Sequence, residues 1–341
     1  MSRRPRRWPS LLFVVVVALL VAGVAFLATR ANELVDGDDD SGATGATWPL
    51  RGTAVAGDDT DAVDRPALAV KIDDTSHGRP QAGLAEADVV FEEQVEGGLT
   101  RLLAVFHSAD LSDVGPVRSA RSTDLGVLAE LARPLFAWSG ANPTFRASVE
   151  AADVVDVGYS AAPDAYRRVD DRRAPYNLFA TPAELRSEGA DGHGQSPPVL
   201  FSYRADDEPV AGPGQRATDS YRAATTATTI EWTWDAESGT WLRAQDGTPH
   251  VDADGRRVRA TNVLVRTTPY RDSGVRDSRG AVVPEAVLVG QGDALLLSDG
   301  KAVPARWRKP SADAPTTYTR TDGEPLLLTP GTTWVEVLPP R

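Results

Sequence analysis

Apolar residues recur along this chain in short runs that favour strands over helices. "PALAVKID" (Pro66 to Asp73) is a buried-strand pattern. "DVVFEEQVE" (Asp88 to Glu96), Gly97-Gly98 and "LTRLLAVFH" read as strand, turn and returning strand of a hairpin. "STDLGVLAELA" instead spaces its apolar positions helically, with Ser122 or Thr123 as the expected N-cap. "PLFAWSG" predicts one more buried strand, while "RPQAGLAEA" and "TPAELRS" predict short helical segments. The stretch "EGADGHGQSPPV" (Glu188 to Val199), rich in Gly, Pro and polar residues, marks a boundary. Beyond it come strands alone: "TTIEWTWDAESGTWLRA", "NVLVRTT", "AVLVGQGDALLLSDGKAVPARWRK" and "TTYTRTDGEPLLLTPGTTWVEVL", punctuated by glycine turns. The pattern predicts an α+β (mixed α/β) protein. A layered sheet-and-helix N-terminal domain spans 64–190, a linker spans 191–220 and a smaller β-rich C-terminal domain spans 221–341.

Residues 1–30 have a different character. Arg3, Arg4, Arg6 and Arg7 precede an uncharged run from Leu11 to Ala28. Eighteen helical residues span roughly 27 Å, close to the hydrocarbon thickness of a bilayer. The run is longer than the apolar core of a cleaved signal, and no small-x-small site follows it. An uncleaved single-pass membrane anchor is therefore expected, with the arginines cytoplasmic and the bulk of the chain extracytoplasmic. Residues 31–63, acidic and built of small residues, read as a flexible stalk.

Charge narrows the partners. The five arginines of residues 1–30 have no acidic counterpart, so the remainder carries 31 basic and 48 acidic residues, a net charge of −17. Such a surface repels nucleic acid, and any anion must be captured locally, against the overall field. The chain has no cysteine. Disulfides, Cys-ligated zinc, thiol nucleophiles and lipid-modified cysteines are thereby excluded.

One loop stands out against this acidity. "GPVRSARSTD" places Arg118 and Arg121 at the start of the predicted helix, where guanidinium forks and free N–H groups suit an anion. The competing reading is a brace in which these arginines pair with Glu92, Glu96 or Asp73. With Arg101 of the hairpin, these six are the candidate anion- or ligand-binding residues. A glycosidase reading of Glu92 and Glu96 is weak. On one face of a strand they stand roughly 13 Å apart, beyond the about 5 to 9.5 Å that such carboxylate pairs require. "SDGK" (Ser298 to Lys301) matches S-x-x-K formally but sits between apolar runs as a hairpin turn. His250, Asp252 and Asp254 in "PHVDADG" read as a turn rather than a cation site, and Trp232, Trp234 and Trp241 as core rather than a glycan platform. No cofactor and no metal are expected.

Seven stretches together carry a resemblance. They are "RPALAVKIDD", "RPQAGLAEADVVFEEQVEGGLTRLLAVF", "VGPVRSARS", "RRAPYNLF", "GTPHVDADGRRVRATNVLV", "VGQGDALLLSDGKAVPARWRK" and "LLLTPGTTWVEV". In this order, over roughly residues 64 to 338, they resemble the YerB-like family of bacterial envelope lipoproteins of unknown function. The resemblance implies a mixed α/β N-terminal domain, a smaller β-rich C-terminal domain and an extracytoplasmic location, but no activity. This chain has no cysteine to acylate, so a spanning helix would replace the lipid anchor. The expected function is binding or scaffolding of an envelope protein or an anionic cell-wall component. The alternative is an enzyme acting on an anionic envelope polymer or phosphorylated precursor, with Arg118 and Arg121 holding the anion and a carboxylate as acid or base.

Overall fold

The computed structural model describes residues 46–56, 60–277 and 280–340. The predicted hairpin forms with its glycines at the tip. β2 (Val89–Gln94) returns as β3 (Thr100–Phe106), and β3 also pairs antiparallel with β1 (Leu68–Asp73). Beyond β1, β4 (Leu135–Ala137) and β5 (Val155–Asp156) run parallel to it. The second half begins with β6 (Ser220–Ala224), β7 (Thr229–Asp235) and β8 (Thr240–Gln245), joined by two two-residue strands into a separate five-stranded sheet. It ends with β9 (Asn262–Thr267), β10 (Gly290–Ser298), β11 (Lys301–Lys309), β12 (Thr317–Arg320) and β13 (Thr333–Leu338).

These last strands join the first half in one eleven-stranded sheet, ordered β12-β11-β10-β9-β13-β2-β3-β1-β4-β5, with Arg216–Ala217 pairing on β11. β13, the last strand of the chain, lies between β9 and β2 and runs parallel to both. The sheet is therefore continuous across the boundary that the Gly/Pro-rich stretch marks.

Both faces of this sheet are covered, which explains why its strands read as unbroken apolar runs rather than alternating ones. One face sends Val90, Leu102, Ala104, Val263 and Trp334 against Ile230, Trp232 and Trp241 of the five-stranded sheet. The other sends Val89, Leu103, Val105, Val335 and Val337 against Val127, Leu128 and Leu131. Trp232 and Trp241 are fully buried, as the core reading expects. At about 25 cal/mol per Å², burying an indole of about 200 Å² stabilises the fold by up to about 5 kcal/mol.

Three α-helices occur among the described residues: α1 (Ser122–Leu128), α2 (Pro143–Ala151) and α3 (Pro182–Glu188). The N-cap of α1 is Arg121, not Ser122 or Thr123. The Asp124 carboxylate accepts the Arg121 backbone N–H at 2.7 Å, so the chain supplies its own anion at this helix start. Ahead of it, the loop closes on Gly115, where a Cβ would lie 2.9 Å from Phe179 Cδ1, and only glycine fits. The Asp299-Gly300 turn between β10 and β11 has positive φ at both residues, 49° and 64°, as a tight hairpin requires.

Part of the expected stalk belongs to the folded body. Leu50 is fully buried, Trp48 meets His107 edge-on at 5.2 Å, and Arg51 pairs with Asp88 at 3.5 Å. The apolar pair Trp48 and Leu50 has enough surface to dock. The expected anchor, Leu11 to Ala28, lies outside the described residues. Among those described, no helix is long and apolar enough to cross a membrane.

Candidate functional site

Strand alternation sends Glu92 and Glu93 to opposite faces of the sheet, so each face must provide for a buried carboxylate. On the α1 face, Asp73, Arg101 and Glu93 stand opposite one another in register across β1, β3 and β2. Lys71, fully buried on the same face, donates to Glu93 and, at 2.7 Å, to Asp124. Burial foremost, then the nearby Asp124 charge, pushes the Glu93 carboxyl up to about 7 against the pull of Lys71. Next along, Arg121 grips Glu96 with two nitrogens, Nε to Oε1 at 2.8 Å and Nη2 to Oε2 at 3.0 Å. Both residues are about nine-tenths buried. This bidentate pair has the geometry of the brace reading.

Arg118 occupies the rim of the same cluster. Its backbone lies between β1 and the end of β4, donating to Lys71 O at 2.8 Å and accepting from Ser139 N at 2.8 Å. Its Nε approaches Asp73 Oδ2 at 2.8 Å, an ion pair not aligned as a hydrogen bond. Its guanidinium lies 5.2 Å from the ring centroid of Tyr176. Arg101 differs from both. Its Nη1 donates to Ser119 O at 3.3 Å, a carbonyl that also receives Arg121 Nη1 at 3.4 Å. Among the described residues no carboxylate forms an ion pair with Arg101. Burial, then the charges of Arg121 and Arg118, lower its pKa to about 10. The loop thus gathers three guanidinium groups, of which two have carboxylate partners.

Glu92 is not part of this group. Glu96 lies beyond the end of β2, in a 3-10 turn with Gly97 and Gly98, so the chain turns before the two glutamates can share a face. Glu92 faces the five-stranded sheet, where Arg243 of β8 donates Nη2 to both its oxygens at 2.8 Å. The same nitrogen reaches Asp74 Oδ2 at 3.2 Å. Glu336 of β13 sits beside Glu92 in register and accepts Trp232 Nε1 at 2.8 Å. Trp334 Nε1 donates to Glu92 at 3.1 Å, and Arg243 lies 4.9 Å from the Trp334 ring centroid. Three carboxylates therefore share one arginine in a sealed layer. Burial first, and then the Glu92 charge against the pull of Arg243, raises Asp74 to about 7 and Glu336 well above the usual range.

Two family models match the chain, "Protein of unknown function (DUF3048) N-terminal domain" over residues 52–195 and its C-terminal counterpart over residues 220–335. The chain belongs to the DUF3048 family. It is 26% identical over 284 residues to "Putative lipoprotein YerB" of Bacillus subtilis, covering 81% of this chain and 82% of that one. The crystal structure of YerB protein from Bacillus subtilis superposes with a TM-score of 0.72 at 22% identity, over 86% of this chain and 97% of that one. That likeness establishes a shared fold.

Against this family background, the other candidate residues of the DUF3048 chain have structural partners. His250 is wedged between Arg243, whose Nη1 lies 2.6 Å from Nδ1, and Gln81 at 2.8 Å from Nε2. Burial, then Arg243, holds its pKa well below the ordinary value. Asp252 accepts Ala85 N at 3.1 Å, and Asp254 pairs with Arg256. Ser298 bonds Asn262 at 2.8 Å and is fully buried, and Lys301, its register partner across the hairpin, donates to Val210 O at 3.3 Å and pairs with Asp299 instead. The sequence reading missed Lys71, Asp74, Glu93, Asp124, Arg243 and Glu336. One signal was available: two adjacent glutamates in a buried strand demand cations on both faces, and Lys71 in the next strand is one of them.

Proposed function

We propose that this protein is a membrane-tethered, extracytoplasmic envelope protein that binds an anionic envelope component at the Arg101–Arg118 rim. It acts by binding, not by hydrolysis. The tether is the arginine-flanked apolar run at the N-terminus, and kinship with a protein named as a lipoprotein supports the location. The observation that carries the binding reading is Arg101, a guanidinium without a carboxylate partner, crowded by two others. Such a group is stabilised by any anion that reaches it, and arginine forks match carboxylate and phosphate oxygens. Binding is favoured over acid–base catalysis because the carboxylates with raised pKa values, Asp74, Glu93 and Glu336, are all buried, while Glu92 and Glu96 are held by Arg243 and Arg121.

Thermal melts of the extracytoplasmic part with phosphate, sulfate or a purified anionic wall polymer test this. Each should raise the melting temperature, and added salt should weaken the effect. Arg101→Gln should abolish the shift while costing less than about 1 kcal/mol in buffer alone, because it orphans no carboxylate. An unchanged shift in Arg101→Gln, or no shift in the wild type, would retire the site.

A further inference from the structure

A second site lies at the carboxyl ends of β4 and β5, the position where open sheets with parallel strands hold ligands. There Trp138, Gly140, Arg146, Glu150, Asp156, Gly158 and Tyr159 line a solvent-open cleft of about 170 Å³. That is well under the about 300 Å³ of the smallest drug-sized pockets, so the cleft takes one small molecule or one terminal group.

Its chemistry is built around a pinned carboxylate. Asp156 Oδ1 accepts both Trp138 Nε1 and Gly158 N, each at 2.8 Å, which leaves the second oxygen for a ligand. Gly158 is required for this arrangement, since a Cβ there would lie 2.6 Å from Trp138 Nε1. On α2, Arg146 and Glu150 stand one helical turn apart, both exposed, and neither forms an ion pair among the described residues. Opposite charges thus flank the cleft, neither held in an ion pair among the described residues.

The aromatic surfaces distinguish between ligand classes. Arg146 lies 6.0 Å from the Trp138 ring centroid, and Phe136 stacks on that indole at 6.2 Å. Arg168 lies 5.8 Å from the Tyr159 ring centroid, and Tyr166 meets that ring edge-on at 5.5 Å. These rings are already engaged by guanidinium groups and neighbouring rings. A sugar, which needs a bare aromatic face to stack on, is poorly served. A small molecule carrying both charges is well served.

We infer that this cleft binds a free α-amino acid, its carboxylate on Arg146 and its ammonium on Asp156 and Glu150. The site shares no lining residue with the Arg101–Arg118 rim, which it adjoins through Ser139 and Gly140, and goes beyond the anion-binding reading.

Titration calorimetry of the whole extracytoplasmic part with glycine, alanine and serine tests the assignment. N-acetylalanine (no ammonium), alanine amide (no carboxylate) and glucose serve as comparison ligands. At least one free amino acid should bind, and each blocked analogue should bind at least about tenfold more weakly. Arg146→Gln and Glu150→Gln, both at exposed positions on α2, should each weaken binding about tenfold while leaving the melting temperature in buffer unchanged. Failure of all three amino acids to bind overturns the proposal. So does equal binding of the blocked analogues, binding of glucose alone, or wild-type affinity in Arg146→Gln.

Discussion

The two faces of the large sheet solve one problem in opposite ways. Both must accommodate a buried glutamate from β2. Facing the five-stranded sheet, Glu92, Asp74 and Glu336 crowd around the single Arg243, and all four are almost fully buried. Facing α1, carboxylates and cations are distributed along a path, from Lys71 through Asp124 to Arg121 and Glu96, which ends at the partly exposed Arg118 and Arg101. The first arrangement is short of cations and closed. The second balances four cations with four carboxylates, and because Lys71 serves two of them, Arg101 is left outside any ion pair. Of the two faces, only the α1 face carries its carboxylate partners out to the protein surface.

That contrast can be attacked where it is most rigid. Arg243→Ala should be the most damaging substitution, costing about 3 to 5 kcal/mol, because it strands Glu92 and Asp74 in a dry layer. Urea unfolding would measure it, and adding Glu92→Gln should recover part of the loss. Full recovery is not expected, since Asp74 still loses its arginine.

The open face should break more gently and unevenly. Arg121→Ala leaves Glu96 unpaired and should cost about 3 kcal/mol. Arg118→Ala should cost about 1 kcal/mol, since Asp73 keeps Thr75 N at 2.7 Å and the Thr75 hydroxyl. Equal losses in the two variants would erase the distinction between brace and rim.

Proton linkage sharpens the comparison further. Asp74, usually near 3.8, and Glu93, usually near 4.5, are both raised to about 7 in the folded protein. The folded state then holds more protons than the unfolded state between those values. Stability from these groups is complete below about pH 4 and is lost as pH rises through about 7, with a slope on the order of 1 kcal/mol per pH unit for each group. Glu336→Gln keeps the acceptor for Trp232 and stays neutral at every pH. It should flatten that decline and add about 1 kcal/mol at alkaline pH, read from melts between about pH 5 and pH 8. An unchanged decline in this variant would mean that Glu336 is already ionised in the native layer across this pH range.

Much of the local structure was legible in the chain. The hairpin around Gly97-Gly98, the Asp299-Gly300 turn and the core tryptophans Trp232 and Trp241 follow from alternation and turn chemistry alone. Of the candidate site, Arg118, Arg121, Asp73 and Glu96 do come together, and the choice between brace and binding site separates residue by residue. Arg121 is held bidentately by Glu96, Arg118 pairs with Asp73 at the rim, and the half-buried Arg101 forms no ion pair among the described residues. Glu92 went astray because the turn at Glu96 breaks the strand period on which the shared face depended. The partner of Glu92 was out of reach, since Arg243 is 151 positions away.

What the sequence determined by itself is everything governed by neighbours in the chain. Apolar runs made strands, glycines made turns, and the adjacency of Glu92 and Glu93 already implied one buried carboxylate for each face. The tertiary structure alone decided which cation meets which carboxylate. Those pairings depend on β13 entering between β9 and β2 and on the five-stranded sheet lowering Arg243 onto Glu92. Strand register between distant segments is set by the packing of both faces at once, and no local pattern encodes it.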